Sequence, residues 1–211
     1  MKPCFMSSSE NKSKKLPKAI IFDLDGCLWT PEMYEIIFFQ GGRGSPFQTN
    51  PTDPLNLLTC GGSPVQLLGD TRAVFRELHT NHSFRNVKVG ISSRTDEPTW
   101  ARELLTKFPI PLSDEGIEGE CIHLETAFNG PIEIAQDEKV DHFHRIVEKC
   151  SIDFEEILFF DNEYRNCESV AKLGVSVVYC PDGVTKELWD LGVYEEFPRS
   201  NGSVINVDFV W

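Results

Sequence analysis

Two aspartates one residue apart, Asp23 and Asp25, follow the apolar run AIIF at 19–22, and Gly26 follows them at once. Buried carboxylates are costly unless a cation or a set of hydrogen bonds compensates them. A pair so placed can bind a metal, attack an electrophile or move a proton. Alone, a DxD also reads as capping and turn chemistry at a strand end, so its meaning depends on what else lies nearby. Three other segments supply that company. VKVGISS runs into Ser93, Arg94 and Thr95; EEILFF runs into Asp161, Asn162 and Glu163; and Lys139 opens KVDHFHRIVEKC. Singly, Ser93 reads as a loop hydroxyl, Lys139 as a solvated helix start, and Arg94 equally as a surface ion pair or a substrate contact. Together they offer hard oxygen ligands of the kind magnesium takes, one or two carboxylates beside waters and phosphate oxygens. A lysine and a hydroxyl suit the phosphate itself. An aspartate near a divalent cation can attack phosphorus to give an aspartyl-phosphate.

These residues share a site only if the elements between them bring the strand ends together. AIIF (19–22), VKVGISS (87–93), EEILFF (155–160) and VSVVYC (175–180) read as short strands, and wholly apolar runs of this length suit the middle of a parallel sheet. Helices are expected over 70–79, 96–108, 139–150, 163–174 and 183–193. Asp70 and Asp96 are candidate caps, Pro98 fits a first turn, and Gly174 fits a helix end. In 139–150 the inward face is expected at Val140, Phe143 and Val147. Strands alternating with helices through short connections predict an open α/β fold, whose ligands bind beyond the carboxyl ends of the strands. Residues 30–63, rich in Gly, Pro, Asn and Thr, read as a long irregular loop insertion that Phe38, Phe39 and Phe47 pin to the body. CIHLETAF at 121–128 is ambiguous, with a strand the nearer reading.

Composition narrows the function. The 211 residues are 40% hydrophobic and 25% charged, which suits one domain. A net charge of −13 argues against nucleic acid or an anionic membrane as partner. It also demands local cations wherever a phosphate is bound. Seven cysteines, Cys4, Cys27, Cys60, Cys121, Cys150, Cys167 and Cys180, stand apart with no CxxC pair. That spacing suggests neither a disulfide framework nor a zinc site, and a reducing, cytoplasmic setting follows. No run approaches a membrane span. Residues 1–16 read as a disordered polar tail, 17–195 as the domain and 196–211 as a C-terminal extension. His142 and His144 lie two apart on a helix, where side chains diverge, so each reads as a surface or satisfied core residue. The large aromatics Phe159, Phe160 and Trp189 read as core.

The order DxD, strand-end serine, lysine, acidic strand end resembles the haloacid-dehalogenase superfamily. FDLDGCLW, ISSRT, KVDHF and LFFDNEYRN together resemble the eukaryotic magnesium-dependent phosphatase family. That resemblance implies a three-layer, Rossmann-like parallel sheet flanked by helices, with no full cap domain. It implies Mg2+ as cofactor, Asp23 as nucleophile, and Asp25 as general acid and then base. It further implies that Ser93 and Lys139 bind the phosphoryl group, with Arg94 close by. Magnesium would be held by Asp23, Asp25 and Asn162, with Asp161 and Glu163 supporting from behind. Cys27 stands where threonine is common. The activity implied is that of a monomeric phosphatase acting on a phosphorylated small molecule or protein, phosphotyrosine and phosphosugars both fitting an open site. A sugar-phosphate phosphotransferase and a weakened phosphate-binding module are the alternatives.

Overall fold

AIIF forms β1 (Ala19–Phe22), with all four side chains buried. In the computed structural model, which describes residues 15–39, 41–199 and 201–206, twelve strands and six α-helices follow from the N-terminal end. After β1 come β2 (Trp29–Thr30), α1 (Met33–Phe39), β3 (Gln48–Asn50), β4 (Asp53–Leu58), β5 (Pro64–Leu67) and α2 (Thr71–Thr80). Next are β6 (Lys88–Ser93), α3 (Pro98–Lys107), β7 (Pro109–Pro111), β8 (Cys121–His123), β9 (Ile132–Ile134) and α4 (Lys139–Cys150). The chain closes with β10 (Ile157–Asp161), α5 (Tyr164–Ala171), β11 (Ser176–Tyr179), α6 (Lys186–Asp190) and β12 (Val204–Ile205). The expected tail at 1–16 lies outside the described residues, apart from 15 and 16.

The main sheet has six strands in the order β12-β11-β10-β1-β6-β9, with parallel pairings throughout. The alternation of side chains along β1 and β10 feeds two cores. Ile20, Phe22, Leu158 and Phe160 join one cluster with Val74 and Phe75 of α2 and Trp189 of α6. Ala19, Ile21, Ile157 and Phe159 join the other with Phe143 and Ile146 of α4 and Val170 of α5. Phe22, Phe160 and Trp189 stack near-parallel, with centroids 5.2 and 5.7 Å apart in succession. Both faces are therefore covered, as a parallel sheet requires. The strand order reverses between β1 and β10, and the crevice beyond their carboxyl ends is where a ligand fits.

The 30–63 segment is a folded insertion rather than an irregular loop. It holds α1, β3 and β4, and with the flanking β2 and β5 it forms an antiparallel sheet ordered β2-β5-β4-β3. Gly and Pro in the turns mask the alternation that buries Leu57 and Val65. Phe47 pins it as expected, edge-on to Trp100 at 6.3 Å. Phe38 and Phe39 do not, being 73% and 78% exposed. The second pin is Glu103 of α3, whose carboxylate accepts from Ser45 Oγ (2.5 Å) and the Phe47 N–H (2.9 Å) and pairs with Lys107 (2.7 Å). Partial burial raises the Glu103 pKa, but these partners outweigh it and hold the carboxyl below its usual range. Its stabilising contribution is thus complete above the ordinary glutamate range and is lost as pH falls through the lowered value. Glu103→Ala is expected to cost about 1–3 kcal/mol near pH 7. It should also speed proteolysis between residues 41 and 63, read by timed digestion and mass spectrometry.

Other local expectations shift in instructive ways. Asp70 does not cap its own helix; its Oδ2 accepts from the Lys186 N–H at 2.7 Å, fastening the start of α6. Asp96 accepts instead from Gln136 Nε2 at 3.0 Å. Pro98 does open α3, and Gly174, at φ +100°, follows α5. CIHLETAF splits into β8, paired with β7, and a 3-10 turn. The inward stripe of α4 is Lys139, His142, Phe143 and Ile146, with Val140 and Val147 only half-buried.

Candidate active site

The ends of β1, β6 and β10 and the start of α4 open into one cleft of about 220 Å³. Asp23, Asp25, Ser93, Arg94, Lys139, Asn162 and Glu163 all line it, and Asp161 lies directly beneath. Every residue singled out from the sequence is therefore gathered here.

Lys139 organises the floor. It is fully buried, which a lone lysine rarely is unless paired. Its Nζ donates to Asp23 Oδ1 at 2.5 Å, to Asp161 Oδ2 at 3.1 Å and to the Ser92 carbonyl. Burial pushes its pKa down, but the Asp161 and Asp23 carboxylates more than reverse this and keep the ammonium charged. Burial raises the Asp23 pKa, Lys139 opposes that, and Asp161 adds to it. Two carboxylates thus face one cation, and the cluster has room for further positive charge.

Asp25 is held differently. Its Oδ1 accepts from Trp29 Nε1 at 2.7 Å, at the threshold of the insertion, and its Oδ2 from the Met33 N–H at 3.3 Å, within it. Burial raises its pKa against these bonds and one from the Thr95 hydroxyl. A carboxyl with a raised pKa is suited to give up a proton to a leaving group and take one back.

Three buried polar atoms of cleft residues lack hydrogen-bond partners, the acceptor Asn162 Oδ1, the hydroxyl Ser93 Oγ and the donor Arg94 Nε. Buried polar atoms are nearly always hydrogen-bonded, so each is available to something from outside. Asp161 is a support rather than a cleft wall, its Oδ1 accepting from the Glu163 N–H at 2.7 Å and its Oδ2 from Asn166 Nδ2 at 3.2 Å. Asn166 also donates to Glu163 Oε2 at 2.8 Å, which fixes that carboxylate. Arg94 reaches Glu138 at 3.7 Å. Gly26, at φ +71°, packs so tightly that a Cβ there would lie 2.3 Å from Asn162 Nδ2, so only glycine brings the two loops together. Behind them the Cys27 thiol donates to the Phe160 carbonyl at 3.6 Å, a weak form of the brace a threonine would give.

The sequence reading gave no site role to Glu32, Thr95, Asp96 and Asn166, which also line the cleft. Glu32 is half-buried among carboxylates, and burial, then Asp25, Glu35 and Glu163, raise its pKa to about 7. Asn166 carried a usable signal: three residues beyond Glu163, it places a polar group on the inner face of a helix. His142 and His144 diverge as expected, the first buried and the second exposed, edge-on to Phe154 at 5.4 Å.

Among the described residues no three His, Cys, Asp or Glu side chains cluster closely enough to hold a metal by themselves. A cation here would need the amide oxygen as well as the carboxylates. No helix among them is long and apolar enough to cross a membrane.

A family model described as Acid Phosphatase matches residues 15–197. A HAD-like hydrolase superfamily protein of Schizosaccharomyces pombe is 29% identical over 165 residues, 78% of this chain and 86% of its own length. Human magnesium-dependent phosphatase 1 is 27% identical over 194 residues, 88% of this chain and 90% of its own. A HAD family enzyme from Bacteroides thetaiotaomicron, solved with magnesium and inorganic phosphate, superposes with a TM-score of 0.50 at 15% identity. It covers 81% of this chain and 97% of its own, and shows the shared fold.

Proposed function

The chain belongs to the acid phosphatase family, among the HAD-like hydrolases, and on that premise we propose that it hydrolyses phosphomonoesters through an aspartyl-phosphate on Asp23. The observation that carries this reading is the unpartnered pair Asn162 Oδ1 and Ser93 Oγ facing one cleft beside the Asp23–Lys139–Asp161 cluster.

The donor set fits magnesium. Asp23 and Asp25 supply carboxylate-bearing residues, Asn162 a neutral oxygen with no other use, and the cluster a surplus of negative charge. When bound, the ion would neutralise charge on the phosphoryl oxygens and permit the approach of a dianion to Asp23. The remaining work falls to the chain. Lys139 and Ser93 hold phosphoryl oxygens, the lysine keeping its charge through Asp161 when Asp23 turns to phosphorus. The Asp23 carboxylate attacks phosphorus in line with the ester oxygen. Asp25 delivers its proton to that oxygen as the P–O bond breaks. The same carboxylate then takes a proton from the water that attacks the aspartyl-phosphate, releasing phosphate and restoring Asp23. Arg94, Tyr34 and Glu32 stand at the rim, where the leaving group would lie. The open rim suits a phosphorylated protein or small molecule, phosphotyrosine and phosphosugars included. The chain would act as a monomer in the cytoplasm.

The test is hydrolysis of an aryl phosphate against a magnesium titration. Wild type should require the ion, and Asn162→Ala should need roughly 10- to 100-fold more of it for half-maximal rate. A wild-type rate indifferent to magnesium would sink the reading.

A further inference from the structure

His142 lies directly behind the lysine and takes no part in the mechanism above. It is three residues along α4 from Lys139, on the same buried face, and is itself fully buried. Its Nδ1 lies 3.0 Å from the hydroxyl of Ser92, also fully buried. The carbonyl of that same Ser92 receives Lys139 Nζ. On the far side, His142 Nε2 is buried without a hydrogen bond, its nearest charge being Asp137 Oδ1 at 3.5 Å. Asp137 is in turn held by Arg145 Nη2 at 2.7 Å, and Arg145 Nε by Glu133 of β9 at 2.7 Å. We propose that His142 is a positioning residue for phosphoryl transfer, fixing through Ser92 the strand end that carries Ser93 and receives Lys139.

The chemistry follows from which nitrogen bears the proton. A carboxylate facing Nε2 favours a proton there, and Nδ1 is then left as an acceptor for the Ser92 hydroxyl. Ser92 is thereby tied at both ends, its hydroxyl to α4 through His142 and its carbonyl to α4 through Lys139. Strand β6 and helix α4 are locked together at the point where Ser93 enters the cleft. The imidazole must be neutral for this. Burial, Lys139 and Arg145 keep it so, against the opposite pull of Asp137 and Glu133. A second cation beside Lys139 would compete for the carboxylates that hold it.

This inference rests on the phosphatase reading for its kinetic readouts but not for its structural one. In the magnesium-loaded protein, His142→Leu is expected to lower kcat for an aryl phosphate roughly 10- to 100-fold with little change in KM. Asparagine can place a polar atom where Nδ1 sits, so His142→Asn should recover most of the rate. Ser92→Ala combined with His142→Leu should be no slower than the slower single variant, because both remove one linkage. Unchanged kcat in His142→Leu, or losses that multiply in the double variant, would overturn the proposal. Asp137 is on the surface, so Asp137→Asn keeps the test alive if the buried variants fail to fold. Long-range 1H–15N spectra at pH 7 should show the Nε2–H tautomer in wild type, and a shift toward Nδ1–H in Asp137→Asn with a roughly threefold lower kcat. A wild-type Nδ1–H or doubly protonated ring would overturn it. If wild type hydrolyses no phosphate ester, the phosphatase reading fails, and the tautomer alone still decides the linkage.

Discussion

Asp23→Asn is expected to lower phosphate-ester hydrolysis by on the order of 10^4-fold or more while leaving the melting temperature unchanged or slightly raised. The two halves of this result have different origins. The rate falls because an amide nitrogen and carbonyl replace the carboxylate that would attack phosphorus. The fold survives because Lys139 keeps Asp161 at 3.1 Å and the Ser92 carbonyl. Removing one member of a buried ion pair usually costs several kcal/mol because a charge is left alone. Here the removal turns two carboxylates facing one cation into one facing one. Initial rates with an aryl phosphate, together with calorimetry of both proteins, test both halves. A variant of normal stability and near-normal rate would remove Asp23 from the chemistry.

Lys139→Met is the counterpart, and there rate and stability should fall together. Methionine fills much of the space but leaves Asp23 and Asp161 buried with no cation between them. The expected loss is about 3–5 kcal/mol, or roughly 10 °C in melting temperature for a chain of this size. The rate should drop a further 10²- to 10³-fold or more, as for loss of one donor to developing charge. The sign of the pH dependence is fixed. Burial already raises the Asp23 pKa, and without the lysine nothing opposes it. Protonation then relieves the strain of the paired carboxylates, so the stability deficit is largest above the raised value and shrinks as pH falls through it. Melting curves across that range should converge at low pH; parallel curves would mean that the lysine is not what compensates the pair.

The comparison of Asp23 and Lys139 also shows what the sequence discloses. The three strand-end motifs were legible because each occupies one short stretch at the edge of an apolar run, where hydrophobic burial fixes the strand and the next residues must emerge at its end. Lys139 was legible as a member of the set but not as a buried residue. Its burial depends on carboxylates that lie 116 residues before it and 22 after, which no local pattern reports. The inner face of α4 was misplaced for the same reason. Counting only apolar residues gives Val140, Phe143 and Val147, whereas the true stripe at 139, 142, 143 and 146 includes two polar groups that the site itself satisfies. The insertion at 30–63 was hidden by its turns. Its Gly and Pro content reads as an irregular loop, and the packing of Phe47 on Trp100 and the grip of Glu103 are tertiary. Glu32 reached the cleft unannounced because it belongs to that insertion. Asn166 and Thr95 are the last residues of the quoted motifs LFFDNEYRN and ISSRT and could have been assigned to the cleft by following each motif to its end.

The two outermost strands of the main sheet carry a further consequence for the life of the chain in a crowded solution. β9 is three residues long and β12 two, while the strands between them include the wholly apolar AIIF and ILFF runs. A neighbouring molecule that meets either margin finds only a few free backbone groups to pair with. Stretches that would template aggregation if unpaired are kept two or more strands inside. Among the described residues, the brevity of these margins therefore acts as protection: few backbone groups are left at either edge to recruit another copy.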